Sequence, residues 1–298
     1  MKLLAERARI VAAVRAFMDA RGFLEVETPI VVPSPGMDLH LAAIPAGSAW
    51  LGTSPEYQMK RLLADGYAQI FQITKAFRAG ELGVRHNPEF SILEWYRLGG
   101  GVEDVMRDTE ELVARVTGGT VRVNGRAIDV RPPFERITVC EAYARWAATT
   151  PDETLRLARD DEDTYFRLLV DQVEPALERV DHGVMLTDYP ATQASLARKK
   201  PGDPRVAERF ECYVAGVELC NGFGELTDPV EQRTRFVADQ EARSKAGLDV
   251  YPIDEKLLAA LAKIPAAAGN ALGLDRLVAL ACGTTEIARV IAFTAEEV

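Results

Sequence analysis

The chemistry in this chain begins with two carboxylates, Glu211 and Glu218, in the segment ERFECYVAGVELCNGFGEL. On one straight strand a spacing of seven points them to opposite faces. A two-residue turn at Ala215-Gly216 instead sets Tyr213 opposite Glu218 and makes Glu211 the diagonal neighbour on that same face. Cys212, Val214, Val217 and Leu219 then form an apolar opposite face, the pattern such a hairpin requires. Side-by-side carboxylates repel unless a cation joins them. Mg²⁺ with phosphate oxygens completing its shell is the natural candidate; two hydrated rim carboxylates are the alternative. Asn221 and Glu225 add polar groups where the strand ends.

Two further segments offer positive charge. In AGNALGLDRLVALACG, residues 268–283, small residues and Gly273 let the backbone approach a ligand, and Leu274, Leu277, Val278 and Ala281 make a helical stripe. Arg276 falls in the first turn of that helix, where free N–H groups and the helix dipole favour an anion. A capping pair between Asp275 and Arg276 is the plainer alternative. The segment FRAGELGVRHNPEF, Phe77 to Phe90, joins two runs rich in β-branched and aromatic residues, so it reads as a hairpin loop of about nine or ten residues, a length that points to function. Alternation puts Phe71, Ile73 and Phe77 on one face, with Leu93 and Trp95 sharing a side of the return strand. A face combining Arg78, Glu94, Tyr96 and the flat Phe90 suits a pocket better than a core; an Arg78–Glu94 ion pair in a half-buried sheet is the alternative.

The elements that must position these groups follow from periodicity. Leu4, Ile10, Val11, Val14, Phe17 and Met18 form one stripe of a helix over residues 3–21, stopped by Gly22, and FLEVETP reads as a short strand. Ser54 and Pro55 open a helix through EYQMKRLLADG. Helices are also expected over 103–117, 138–148 with a Thr138/Glu141 capping box, 162–180, 229–246 and 254–262, and strands near 184–188, 208–214, 217–220 and 287–293. Residues 118–137 read as a small β excursion. Strands arrive in hairpin pairs with helices between them, so the class is α+β with a mainly antiparallel sheet, in a single catalytic domain over 1–298.

Bulk properties narrow the partners. A net charge of −10 opposes general nucleic-acid binding, and the one basic run, Arg198 to Lys200 with Arg205 and Arg209, reads as a solvated loop. Cys140, Cys212, Cys220 and Cys282 are too scattered for a zinc site or disulfide framework, which fits a reducing cytoplasm. No run of 18 apolar residues suggests a membrane span, and the charged N-terminal helix is no signal peptide.

Together the segments resemble the three motifs of class II aminoacyl-tRNA synthetases. RGFLEVETPIVVPSPG, with Pro29, resembles motif 1, the dimer-interface helix and strand; FRAGELGVRHNPEFSILEWY resembles motif 2; ALGLDR resembles motif 3. HNPEF with NGFGEL resembles the lysyl branch. Lysyl-tRNA synthetases carry an anticodon-binding domain before motif 1, whereas here the motif 1 helix begins at residue 3, and they carry glycine where this chain has Ala271. On both counts the chain resembles the family of elongation factor P lysine ligases, which attach a lysine, preferentially (R)-β-lysine, to a lysine of that factor.

The resemblance implies ATP and Mg²⁺, a homodimer through motif 1, no tRNA and a two-step reaction through an aminoacyl adenylate. Arg78, with Ala79 and Gly80, would hold the α-phosphate and substrate carboxylate, Phe90 would stack on adenine, and His86 and Asn87 would lie along the nucleotide. Glu211 and Glu218 would bind Mg²⁺, Leu219 would lend its backbone to the nucleotide, Gly273 would admit ATP, and Arg276 would grip the γ-phosphate. Ser54, Pro55 and Glu56 would contact the substrate's amino end, with Glu94, Tyr96, Asn221 and Glu225 around its ammonium groups and the Ala271 methyl shaping the pocket for a β-amino acid. Many relatives have glutamate two residues after the motif 2 arginine; here Gly80 stands there and Glu81 follows. Cys220 reads as packing, and no nucleophile set is visible, as expected where positioning and charge do the work. A truncated lysyl-tRNA synthetase and a non-catalytic lysine-sensing paralogue are the rival readings.

Overall fold

The structure is a computed structural model that describes residues 2–39 and 41–298. Its strands are β1 (Leu24–Glu25), β2 (Val31–Val32), β3 (Pro45–Ala46), β4 (Ala49–Leu51), β5 (Gln69–Phe77), β6 (Glu89–Leu98) and β7 (Thr120–Val123). There follow β8 (Arg126–Asp129), β9 (Glu135–Thr138), β10 (Val184–Pro190), β11 (Lys199–Lys200), β12 (Asp203–Val214), β13 (Val217–Gly224) and β14 (Ala267–Gly273). Nine of them form one sheet in the order β1-β5-β6-β14-β13-β12-β10-β9, with β11 on β12. Only the two outermost pairs, β1/β5 and β10/β9, are parallel, so the expectation of a mainly antiparallel α+β fold holds.

Alternation along β5 and β6 decides the two faces. Phe71, Leu93 and Trp95 point into a core with α1 (Leu4–Ala20) and α3 (Val102–Thr117), joined by the stripe of α10 (Leu274–Ala281). Ile70 and Tyr96 point the other way, against α2 (Glu56–Ala64), α8 (Pro229–Lys245) and α9 (Glu255–Leu261). The second group of helices covers part of its face, and the site lies on the remainder. Between them α4 (Val139–Trp146), α5 (Pro151–Asp160), α6 (Glu162–Leu168) and α7 (Glu174–Arg179) build a satellite core on β9 and β10, where Tyr143 stacks on Tyr165 at 5.0 Å.

Local signals set several boundaries as expected. Thr138 and Glu141 form the reciprocal capping box of α4. Ala215 and Gly216 make the turn between β12 and β13, both at positive φ, and Tyr213 pairs with Glu218. A bulge after Cys212 then brings Glu211 opposite Asn221 and buries Leu219 and Cys220 together in the core. Cys220 is therefore packing.

Four expectations need correction. The span 162–180 is one helix only in direction: a π turn over Leu169–Val173 separates α6 from α7, because Pro175 has no N–H and its ring crowds the preceding turn. Residues 287–293 form no strand; Ile287–Arg289 is a single 3₁₀ turn whose Ile287 N–H is spent on the Val84 carbonyl. Strand β14 went unrecognised, since Ala-Ala-Gly-Asn-Ala-Leu-Gly lacks β-branched and aromatic residues. The basic run is no solvated loop. Residues Lys199–Val214 are largely strand, and Arg198, Lys199, Lys200, Arg205 and Arg209 pair with Glu208, Glu231, Asp188, Asp203 and Glu211, so no free basic patch forms there.

Among the described residues no helix is long and apolar enough to cross a membrane.

Candidate active site

Sheet register assembles the site. One row of paired residues crosses five strands, Gln72–Glu94–Ala271–Asn221–Glu211. Paired residues share a face, so residues far apart in sequence come side by side, with Ala271 between Glu94 and Asn221. Above the row opens a cleft of about 330 Å³, within the usual range for small-molecule sites. Ser54, Glu56, Arg78, His86, Asn87, Phe90, Glu218, Leu219, Asn221, Ala271, Gly273 and Arg276 all line it.

One end of the cleft is built by Arg276 at the start of α10. Its guanidinium donates to the Glu218 carbonyl at 2.8 Å, the Arg85 carbonyl at 3.3 Å and the His86 Nε2 at 2.7 Å. A guanidinium has no acceptor, so His86 accepts through an unprotonated Nε2. Burial and the neighbouring Arg276 charge lower the His86 pKa, in keeping with a neutral ring. Arg78 lies with its guanidinium carbon 5.0 Å from the Phe90 ring centre, its Nε donating to the Thr53 carbonyl at 3.4 Å and its Nη1 3.7 Å from the Glu81 carboxylate. The Arg78–Glu94 ion pair considered from sequence does not form; Glu94 is held by hydroxyls instead.

Glu81 lines the cleft, whereas Ala79 and Gly80 do not. The Ala79 N–H is committed to the Ala42 carbonyl, and Gly80 turns the chain at φ +80°, a conformation glutamate would resist. Asn87 is engaged in the fold as well: its amide donates to the Glu89 carbonyl at 2.6 Å and accepts from the Ala295 N–H at 2.9 Å. An added Cβ at Gly273 would come 3.3 Å from the Arg276 side chain, crowding the cation.

Glu211 accepts from Arg209 at 2.8 Å and from the Tyr213 hydroxyl at 2.7 Å. Glu218 is looser: its carboxylate is 3.5 Å from Arg276 and 40% of the side chain remains accessible. Burial and then the Glu211 charge raise its pKa, against the opposing pull of Arg276, Arg209 and Arg78. Among the described residues no cluster of three or more His, Cys, Asp or Glu side chains could hold a metal alone. The donor set fits a Mg²⁺ that arrives with phosphate oxygens and fails to fit a resident ion.

The acidic end lies deeper. Ser54 Oγ donates to Glu94 at 2.6 Å and accepts from the Glu56 N–H at 3.0 Å, while the Tyr96 hydroxyl donates to Glu94 at 3.0 Å. Glu94 is fully buried, and that burial, with Glu56 nearby, pushes its pKa up to about 8. Glu225 is 2% exposed and pushed to about 7, chiefly by burial, against the opposing pull of Lys60. Glu94, Tyr96, Glu211, Glu225 and the unforeseen Lys60 are buried outside the cleft's lining, and Pro55 at the helix start faces a separate small cavity with Thr28, Pro29 and Gln72 instead of the cleft. Gly269 makes room for two of them: a Cβ there would fall 2.2 Å from Tyr96 and 2.6 Å from Glu225.

Sequence reasoning missed other supporting residues because their partners come from distant elements. Asp275 is paired with Arg7 of α1 at 2.5 Å and accepts the Ser91 N–H at 2.8 Å, so it is no capping partner of Arg276. Buried Arg243 gathers the carbonyls of Asp38, Leu39 and Leu41, fixing the loop that walls the cleft. The buried side chain of Gln232 faces the cleft with neither amide atom hydrogen-bonded. No periodicity marks any of the three.

Comparison with known proteins agrees with this geometry. The family described as tRNA synthetases class II (D, K and N) matches residues 1–297. An elongation factor P–(R)-β-lysine ligase of Haemophilus influenzae (strain PittGG) is 40% identical, covering 99% of this chain and 96% of its own. The ligases of that name from Klebsiella pneumoniae (strain 342) and Pectobacterium atrosepticum are each 42% identical, covering 98% of this chain and 95% of their own. Matched over nearly its full length by that family and by these relatives, the chain belongs to the class II tRNA synthetase family and, within it, to the elongation factor P–(R)-β-lysine ligases.

Proposed function

We propose that this protein activates (R)-β-lysine, or lysine itself, with ATP and transfers it to the ε-amino group of a lysine on elongation factor P, acting as a single catalytic unit in the cytoplasm. The observation that carries this reading is the site's polarity: Arg78 and Arg276 at one end, three carboxylates beneath the other, and Ala271 between them. A substrate carrying a carboxylate and two ammonium groups spans those ends.

In the first step the substrate carboxylate oxygen attacks the α-phosphorus of ATP. A P–O bond forms, the α–β bridge breaks and pyrophosphate leaves with the bridging electrons. Arg78 positions the two reacting groups, Phe90 offers a base-stacking ring, and Arg276, with His86 as its neutral acceptor, holds the departing phosphates. Mg²⁺ held by Glu218 and Glu211 would neutralise phosphate charge. Glu81, beside Arg78, takes the place of the glutamate absent at Gly80. In the second step the neutral amine of the target lysine attacks the acyl carbon, AMP leaves and the amine's extra proton passes to solvent. No side chain in the cleft stands out as a base, and desolvation of the incoming amine suffices to hold it neutral.

The Ala271 methyl, set between Glu94 and Asn221, takes up space beside the substrate's amino group. It supports the β-amino acid as preferred substrate. Pyrophosphate release with ATP, Mg²⁺ and (R)-β-lysine tests the reading, with α-lysine in parallel. Removal of Arg276 as Arg276→Ala should cut the rate by about 10²–10³-fold, the usual cost of a preorganised charge donor. Absence of pyrophosphate release from the unmodified protein would overturn the reading. An Arg276→Ala protein with full biological function would favour the non-catalytic paralogue.

A further inference from the structure

Lys60 is 1% exposed and stands one turn after Glu56 on α2. Its ammonium lies 2.6 Å from Glu56 and 2.5 Å from Glu225, which comes from beyond the end of β13. No hydroxyl or backbone N–H meets the Glu225 carboxylate, so Lys60 is its one ionic partner among the described residues. Burial works against the ammonium, yet Glu225 and Glu56 outweigh it and hold Lys60 above the ordinary lysine range. For stability alone such a cluster is a poor choice, since well-packed apolar side chains generally do as well or better. Its place directly under Ser54 and Glu56, which line the cleft, points to the ligand.

The charges there can be counted. With all three carboxylates ionised, the state that bound ammonium groups favour, Glu56, Glu94 and Glu225 oppose one ammonium and leave two formal negative charges below the cleft. Asp38 and Asp239, the latter pushed by burial up to about 6, line the same cleft and lie outside this count; the remaining polar groups do not alter it. Tyr96 and Ser54 contribute hydroxyls to Glu94. Arg198, which acts on Glu225, is committed to Glu208 at 2.6 Å, and Arg78 belongs to the phosphate end.

We propose that Lys60 is a positioning residue of the amine site: it cancels one of three carboxylate charges and fixes Glu56 and Glu225, leaving a charge of −2 matched to a substrate with two ammonium groups. Without Lys60 the floor carries a third, unmatched charge. The carboxylates then relieve their repulsion by binding protons, and a protonated carboxyl no longer holds an ammonium. The inference rests on the reading of the protein as a lysine-activating enzyme, so the unmodified protein is assayed beside each variant.

The test uses Lys60→Met and the double variant Lys60→Met/Glu56→Gln, which returns the count to −2. Pyrophosphate release is followed with (R)-β-lysine from pH 6 to 9, and ATP-induced thermal stabilisation confirms folding. For Lys60→Met we expect KM for β-lysine to rise by roughly 30-fold or more, the scale set by losing one partner of a buried charge pair, with kcat changed far less. The acid limb of kcat/KM should move up by about one pH unit as neighbouring carboxyls lose their cation, and the double variant should bring it back down. A Lys60→Met protein that binds ATP but keeps the unmodified KM and pH profile overturns the inference. So does a double variant whose acid limb stays with the single variant's. Should Lys60→Met fail to bind ATP, the double variant decides alone: a normal limb supports charge matching and a shifted one refutes it. An unmodified protein inactive with every lysine isomer would instead refute the functional reading.

Discussion

Glu94 and Glu225 occupy surroundings that resist their charge, and burial pushes their pKa values up to about 8 and about 7. A bound ammonium favours the ionised carboxylate, so binding lowers both values and expels protons. The sign follows directly: affinity for lysine should fall as pH drops through 8 and then 7, while the substrate ammonium stays protonated throughout. Titration calorimetry in buffers of different ionisation enthalpy should show net proton release near pH 7, lost in Glu94→Gln to the extent that Glu94 is its source. No buffer dependence would show that these carboxylates do not meet the ammonium groups. At this scale Arg78, Glu218 and Arg276 were legible because each is a charge in a segment with little other purpose. Lys60 was not, since in EYQMKRLL it reads as a solvated helical lysine until α2 packs on α9 and β6 and Glu225 meets it from beyond β13.

Among the elements, although the bulge after Cys212 and the full strand lengths were hidden, the turn of the β12–β13 hairpin was legible: Ala215-Gly216 sets Tyr213 opposite Glu218. Its neighbour β14 was not. The fold asks for small residues there, because Gly269 lies against Tyr96 and Glu225, and Ala271 sits in the row beside Glu94. Local strand propensity is overruled by what the strand must leave room for. Gly269→Ala should therefore destabilise the protein by about 1–3 kcal/mol, the range for overpacking a closed site, measurable as a shift in urea midpoint. It should also raise KM for lysine while leaving ATP binding intact. An unchanged midpoint and KM would mean that Tyr96 and Glu225 have space the structure does not show.

Across the whole molecule, motif 1 leaves apolar surface exposed. Leu24, Ile30 and Val31 are 50%, 40% and 53% accessible, and β1, two residues long, is an outer strand of the large sheet. Such a surface supports a dimer through motif 1. The same element reaches the site, since Arg7 of α1 grips Asp275 beside Arg276 and donates to Ser91 at 2.8 Å. Light scattering should give twice the chain mass for the unmodified protein and one chain mass for Val31→Asp, with a fall in activity as the Arg7 contact loosens. A fully active monomer would remove the dimer from the account. Intact-mass spectrometry of elongation factor P incubated with this protein, ATP, Mg²⁺ and (R)-β-lysine reads directly where the activated lysine goes. One lysyl adduct on a single lysine of the factor is expected, absent with Arg276→Ala; an unmodified factor accompanied by charging of lysine tRNA in the same mixture would refute the proposed transfer.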